Sequence, residues 1–101
     1  MDKNWMAVGR AENFPEGLHL TGVANRTVVV ACLGGDLYAF NPLCPHLAGP
    51  MERSEVQGAI IACPFHGWRF DLNDSGRELH DYGCLRTYPV KVDKGEVFVG
   101  F

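Results

Sequence analysis

The sequence predicts an all-β domain: a small antiparallel β-sandwich or barrel into which a metal-binding subdomain of two loops is inserted. Three observations predict it. Short runs rich in β-branched residues are divided by glycine-bearing turns. No stretch of comparable length repeats its apolar residues with a helical period. Between the strand-like runs, Cys44-Pro45-His46 and Cys63-Pro64-Phe65-His66 place two Cys-His pairs on two short loops, with sixteen residues (47–62) between them.

Arg26–Leu33 (RTVVVACL) is dominated by β-branched residues and has no turn former inside it. Gly34-Gly35-Asp36 then turns the chain into 37–40 (LYAF), which together read as a hairpin. Residues 59–62 (AIIA) lead into the second Cys-His loop and 68–72 lead away from it, followed by the turn signal Asn73-Asp74-Ser75-Gly76. Near the C-terminus, residues 88–92, Asp93-Lys94-Gly95 and residues 96–101 read as a closing hairpin. Val90, Val92, Val97 and Val99 keep to alternate positions, as one buried face requires. The segment at about 41–70 holds both Cys-His loops and reads as an insertion packed on this frame.

With 101 residues and no repeat, linker or low-complexity tract, the chain reads as one domain over 1–101. Apolar residues at 47% suffice for one core. The net charge of −3 offers no basic stripe for nucleic acid. No apolar run approaches the ~20 residues that span a bilayer, and the N-terminal residues lack the apolar stretch of a secretory signal. Four cysteines without an export signal point to the cytoplasm and to reduced thiols, where neighbouring Cys and His suggest metal before disulfide.

Each loop is suited to ligation. Pro45 and Pro64 restrict φ and lack an N–H that would need a partner, while Gly49-Pro50 and Gly67 allow the tight turns of a buried site. Two thiolates can hold one iron of a [2Fe–2S] cluster while two imidazoles hold the other, which is the ligation of a Rieske centre. A structural zinc site is the competing reading of two Cys and two His. Zinc fingers, however, pair Cys with Cys and His with His, whereas here each loop carries one of each.

With His66-Gly67-Trp68 added, the pattern C-x-H…C-x-x-H resembles the Rieske iron–sulfur family. CPHLAGPM and CPFHGWRFDL are most similar to soluble Rieske ferredoxins and to the Rieske domains of aromatic-ring oxygenases, and the likeness runs through TYPVKVDKGEVFV. The resemblance implies a small antiparallel sandwich with a cluster-binding subdomain and one [2Fe–2S] cluster. By position, Cys44 and Cys63 would bind one iron, and His46 and His66 the other.

High-potential members of that family carry a further Cys in each loop, joined as a disulfide, and a Ser after the last His-Gly. The equivalent positions here are Gly49, Phe65 and Trp68, so neither the disulfide nor the hydroxyl hydrogen bond to the cluster is available. The resemblance therefore implies a midpoint near the low end of the Rieske range of about −150 to +300 mV, well above the about −400 mV of a four-Cys ferredoxin.

Outside the loops, Cys32 and Cys84 read as packing residues, with a Cys32–Cys84 disulfide as the alternative, and Trp5 reads as core. His19 and His80 read as surface or turn residues. Phe65 and Leu47 would form an apolar collar for transient docking. The function implied by the resemblance is a ferredoxin, itself not an enzyme, that carries one electron from a flavin-dependent reductase to an oxygenase or similar terminal enzyme. It would act as a soluble monomer with no membrane or nucleic-acid partner. The alternatives are a Rieske domain of a ring-hydroxylating oxygenase or a small subunit of an NAD(P)H nitrite reductase. An oxygenase needs a mononuclear iron held by two His and a carboxylate. Only His19 and His80 remain for that, far apart in sequence.

Overall fold

The valine run of the 26–33 strand decides the layout. Residues 28–31 are all fully buried, so this strand must be covered on both faces. Val28 and Val30 point into one core with Phe14, Ala39, Val97 and Val99. Val29, Ala31 and Leu33 point into another with Phe40, Ile61, Phe70 and Leu85. Fully burying one such valine contributes about 1.5–3 kcal/mol, so a strand with apolar residues on both faces anchors two layers.

The computed structural model describes residues 4–45, 48–65 and 67–101; Met1–Lys3, His46, Leu47 and His66 lie outside the described residues. The strands are β1 (Trp5–Arg10), β2 (Gly17–Val23), β3 (Arg26–Leu33), β4 (Asp36–Phe40), β5 (Glu55–Gln57), β6 (Ile60–Ala62), β7 (Arg69–Asp71), β8 (Arg77–Glu78), β9 (Thr87–Tyr88), β10 (Val90–Asp93) and β11 (Glu96–Gly100). They form three antiparallel sheets, ordered β1-β11-β10, β2-β3-β4-β9 and β5-β6-β7-β8. The first two sheets enclose the core around Val28 and Val97, and the third packs on the far face of β3. No helix among the described residues is long and apolar enough to cross a membrane.

The all-β antiparallel expectation holds, while the barrel alternative does not: the sheets stay open, each with two edge strands. β3 has the bounds expected for it, and β3–β4 is the expected hairpin. Gly34 and Gly35 both take positive φ, the geometry of a two-residue turn that follows strand twist. Residues 88–92 are not one strand. Thr87 and Tyr88 pair with β4, whereas Val90 onward pairs with β11. Pro89 lies between them, has no N–H to donate to either sheet, and accepts from the Gly100 N–H at 2.9 Å. Val90 and Val92 share the face of Val97 and Val99, but β10 is an edge strand and Val92 is 50% exposed. Trp5 is not core. It lies on the outer face of its sheet, 37% exposed, with the Lys91 ammonium 4.4 Å from its ring centroid.

The third sheet is tied to the second through Tyr38, whose hydroxyl donates to Asn73 Oδ1 at 2.9 Å. Burial, and then the Asp36 charge, push that hydroxyl's pKa up, so it remains a donor. β8 ends at Glu78, a carboxylate only 2% exposed. Its Oε1 accepts the backbone N–H groups of His80 at 2.7 Å and Tyr82 at 3.2 Å, and its Oε2 lies 3.3 Å from His80 Nδ1. Burial alone would raise this carboxyl's pKa. The Tyr82 and His80 N–H groups, with the His80 ring, outweigh burial and hold it below its usual 4.5.

A carboxyl depressed in this way contributes stability that is fully present above pH 4.5 and is lost as the pH falls through its folded value. Thermal melts of the wild type and Glu78→Gln should therefore differ most near neutral pH, with the variant lower, and should converge below pH 4.5. A constant offset across that range would contradict this assignment.

Candidate metal centre

The two Cys-His loops are built alike. The first runs between β4 and a short 3-10 turn at Met51–Arg53. Asn41 Oδ1 accepts from the Leu43 N–H at 2.9 Å, and the Met51 N–H closes the base on the Pro42 carbonyl at 2.8 Å. The second is the connection of the β6–β7 hairpin. In the first loop the Cys44 N–H donates to the Gly49 carbonyl at 2.9 Å, and the Ala48 N–H to the Cys44 carbonyl at 2.8 Å. In the second the Cys63 N–H donates to the Trp68 carbonyl at 2.8 Å, and the Gly67 N–H to the Cys63 carbonyl at 2.9 Å. Both loops thus use the same pair of bonds at the same spacing, five and four residues beyond the cysteine.

The fifth residue of each loop takes a left-handed conformation, Ala48 at φ 55° and Gly67 at φ 68°. For an alanine this costs roughly 1–2 kcal/mol, which the loop's own bonds must offset. The sequence suggests the glycines alone as turn formers, and the structure adds Ala48. The signal was present in the parallel spacing of CPHLAG and CPFHGW. Gly49 has a different role. A Cβ there would lie 2.7 Å from Cys63 Sγ and 3.3 Å from the Phe65 ring, so the loops meet at this position and only glycine fits without displacement.

Cys44 is 3% exposed and Cys63 1%, and both belong to the core shared with Ile61, Phe70 and Leu85. The residues beyond them turn outward: Pro45, Ala48, Pro64 and Gly67 are exposed, and Phe65 is 60% exposed. The structure therefore brings the two thiols into one buried layer with the loop tips at the surface. The other two expected ligands, His46 and His66, lie outside the described residues, as does Leu47 of the expected collar. Buried sulfurs inside tightly wrapped backbone, with a glycine clearing the space beside one of them, suit a thiolate-held cluster.

Of the remaining residues, Cys84 departs from expectation while His80 is the exposed turn residue expected. Cys84 is exposed rather than packed, with its thiol 3.1 Å from the Ser75 carbonyl oxygen. Cys32 is half-buried, its Sγ 4.0 Å from Glu16 Oε1, and both thiols are free, so the alternative Cys32–Cys84 disulfide does not form. His19 lies on β2, with Nε2 2.6 Å from the Pro15 carbonyl oxygen and its ring against Phe14. His80 lies on the turn after β8, against Tyr82. Phe14 and Trp68, which Tyr82 covers, pack against opposite faces of the central sheet, so these two histidines are not brought together.

Residues 4–89 match the model of the Rieske [2Fe-2S] domain. The ferredoxin component of the naphthalene 1,2-dioxygenase/salicylate 5-hydroxylase systems of a Ralstonia species is 31% identical over 107 residues, spanning 98% of this chain and 97% of the relative. An oxygenase component of 3-ketosteroid-9-alpha-monooxygenase from Rhodococcus rhodochrous is 38% identical over 77 residues. The chain spans between 18% and 26% of the length of that protein and of two similar ones. Among solved structures, a chain in the complex of reduced oxygenase and oxidized ferredoxin of carbazole 1,9a-dioxygenase superimposes with a TM-score of 0.83 at 25% identity, covering 98% of this chain and 94% of that one. The fold of a Sphingomonas yanoikuyae B1 ferredoxin matches with a TM-score of 0.82 at 23% identity, covering 97% and 99%. A domain of this type carries one [2Fe–2S] cluster. With that match across most of its length, and with two equivalent Cys-His loops at its centre, this chain belongs to the Rieske [2Fe-2S] domain family.

Proposed function

We propose that this chain is a Rieske ferredoxin, a one-electron carrier that receives an electron from a flavin-dependent reductase and delivers it to an oxygenase or a similar terminal enzyme. The observation that carries this reading is the end-to-end correspondence with a ferredoxin component, 98% of one chain against 97% of the other. Residues 1–101 would act as one Rieske domain, with the cluster-binding part at about 41–70. The free thiols of Cys32 and Cys84 support a reducing compartment such as the cytoplasm.

The ligands in this reading are Cys44 and Cys63 on one iron and His46 and His66 on the other. Bound there, the cluster accepts and releases single electrons. The chain's contribution is to keep both thiolates dry, to hold the loops in one geometry in both redox states, and to present the loop tips to a partner. Phe65, 60% exposed beside Gly49, supplies apolar surface at that tip. A second reading, the Rieske part of an oxygenase component, is favoured by the 3-ketosteroid monooxygenase relatives, of which the chain spans about a fifth to a quarter.

A coupled assay separates the two. With a flavin reductase, NAD(P)H and a ring-hydroxylating oxygenase, a carrier at substoichiometric concentration should support many turnovers per chain. Turnover that ceases after one electron per chain would defeat the carrier reading.

The ligand set has its own test. Cys44→Ser and Cys63→Ser should lose the cluster, read as iron and sulfide content. Protein-film voltammetry should place the wild-type midpoint near the low end of the Rieske range, about −150 mV, and His46→Cys or His66→Cys closer to about −400 mV. A clearly positive wild-type midpoint, or unmoved histidine variants, would defeat the assignment.

Gly49→Ala should lower cluster occupancy, because its Cβ would come within 2.7 Å of Cys63 Sγ. Iron per chain checks this, and full occupancy in the variant would contradict the close approach.

A further inference from the structure

Glu78 and the turn after it take no part in the ligand set, yet among the described residues Glu78 is the buried charged side chain. A buried carboxylate is retained at a cost unless its oxygens are satisfied, and here they serve one short segment. Oε1 accepts from the His80 and Tyr82 N–H groups, and Oε2 meets His80 Nδ1. The backbone closes the same turn: Asp81 N–H to the Glu78 carbonyl at 2.8 Å, and Glu78 N–H to the Gly83 carbonyl at 2.9 Å. Asp81 takes φ 64° at its tip.

This turn delivers an aromatic ladder to the second Cys-His loop. The His80 ring stacks on Tyr82 at 5.5 Å and 23°, and the Tyr82 ring lies 5.6 Å from Trp68 at 40°. Trp68 in turn lies 6.5 Å from the buried Phe70 and packs against the core that contains Cys63. Its carbonyl accepts the Cys63 N–H. Tyr82 is 67% exposed, so burial of its own ring is not what fixes it in place. Glu78 holds its backbone through the Tyr82 N–H.

We propose that Glu78 is a positioning residue for the redox site: it fixes Tyr82 as an aromatic cover on Trp68, and this cover excludes water from the second loop and lowers the midpoint potential. The proposal rests on the ligand assignment given above. Two thiolates balance the oxidised core, so reduction leaves the site with a net negative charge. Water would stabilise that charge, and cluster potential depends on solvent exposure. Removing the cover should therefore make reduction easier.

The experiment is protein-film voltammetry on the cluster-loaded wild type, Glu78→Ala, Glu78→Gln and Tyr82→Ala, well below their melting temperatures. The rate of loss of visible absorbance is followed in parallel. Glu78→Ala and Tyr82→Ala should each raise the reduced-to-oxidised ratio severalfold at the wild-type midpoint, a tenfold change being 59 mV for one electron. Both should lose the cluster faster. Glu78→Gln should stay close to wild type, because an amide oxygen still accepts the His80 and Tyr82 N–H groups. An unmoved midpoint in Tyr82→Ala overturns the proposal. So does a Glu78→Gln shift equal to that of Tyr82→Ala, which would assign the effect to charge. If Glu78→Ala does not fold, Tyr82→Ala and Glu78→Gln decide alone. A wild type free of iron and sulfide would overturn the ligand assignment and this inference together, whereas a loaded wild type with unmoved variants overturns the inference only.

Discussion

The Cys44 and Cys63 side chains are buried while Pro45, Pro64 and Phe65 just beyond them are exposed, and the build of both loops follows from that constraint. A loop of six residues cannot do this by hydrophobic burial, because it has too little side chain of its own. It does so by hydrogen bonding: each cysteine donates its N–H five residues ahead and accepts an N–H from four residues ahead. These bonds satisfy the backbone at the depth where Cys44 and Cys63 are buried, and they force the left-handed turn at Ala48 and Gly67 that returns the chain.

A rigid floor is the second requirement, and the central sheet provides it. β3 is apolar on both faces, so one strand is shared by two cores. The core toward β11 is built from valines and has no part in the site; the core toward β6 and β7 contains both cysteines. Displacing either loop would disturb contacts with Ile61, Phe70 and Leu85, which are fully buried. Dense cores resist small continuous shifts, which in the proposed reading would keep the ligand geometry nearly the same in both redox states.

Much of this was legible in the sequence, for physical reasons that also explain what was not. β3 stands out because a strand covered on both faces is a continuous apolar run. The loops stand out because two Cys-His pairs on matched loops are residue types that chance rarely groups. The N-terminal strands β1 and β2 give no such signal: WMAVGR and GLHLTGV mix glycine, polar and apolar residues without clean alternation. Pro89 could have marked the change of sheet at residue 89, but periodicity runs straight across it. Trp5 and Val92 are apolar yet sit on an outer face and an edge strand, and no local pattern distinguishes those places from a core. Nothing in the sequence singles out Glu78. What sets it apart is the pairing of β8 with β7 and the return of His80 and Tyr82, a contact set by tertiary structure.

By the resemblance, Gly49, Phe65 and Trp68 stand at the positions where high-potential members of the family carry a disulfide pair and a serine. Gly49 and Phe65 meet, so the two loops touch here as a ring against a backbone. Trp68 replaces a hydroxyl with an indole that packs on the core and is covered by Tyr82. Each replacement removes a polar or covalent feature, and Phe65 and Trp68 add apolar side chains. Reduction places extra negative charge on the site, and apolar surroundings stabilise charge least. In the proposed reading, differences that look unrelated along the chain would act in one direction, toward a low midpoint potential.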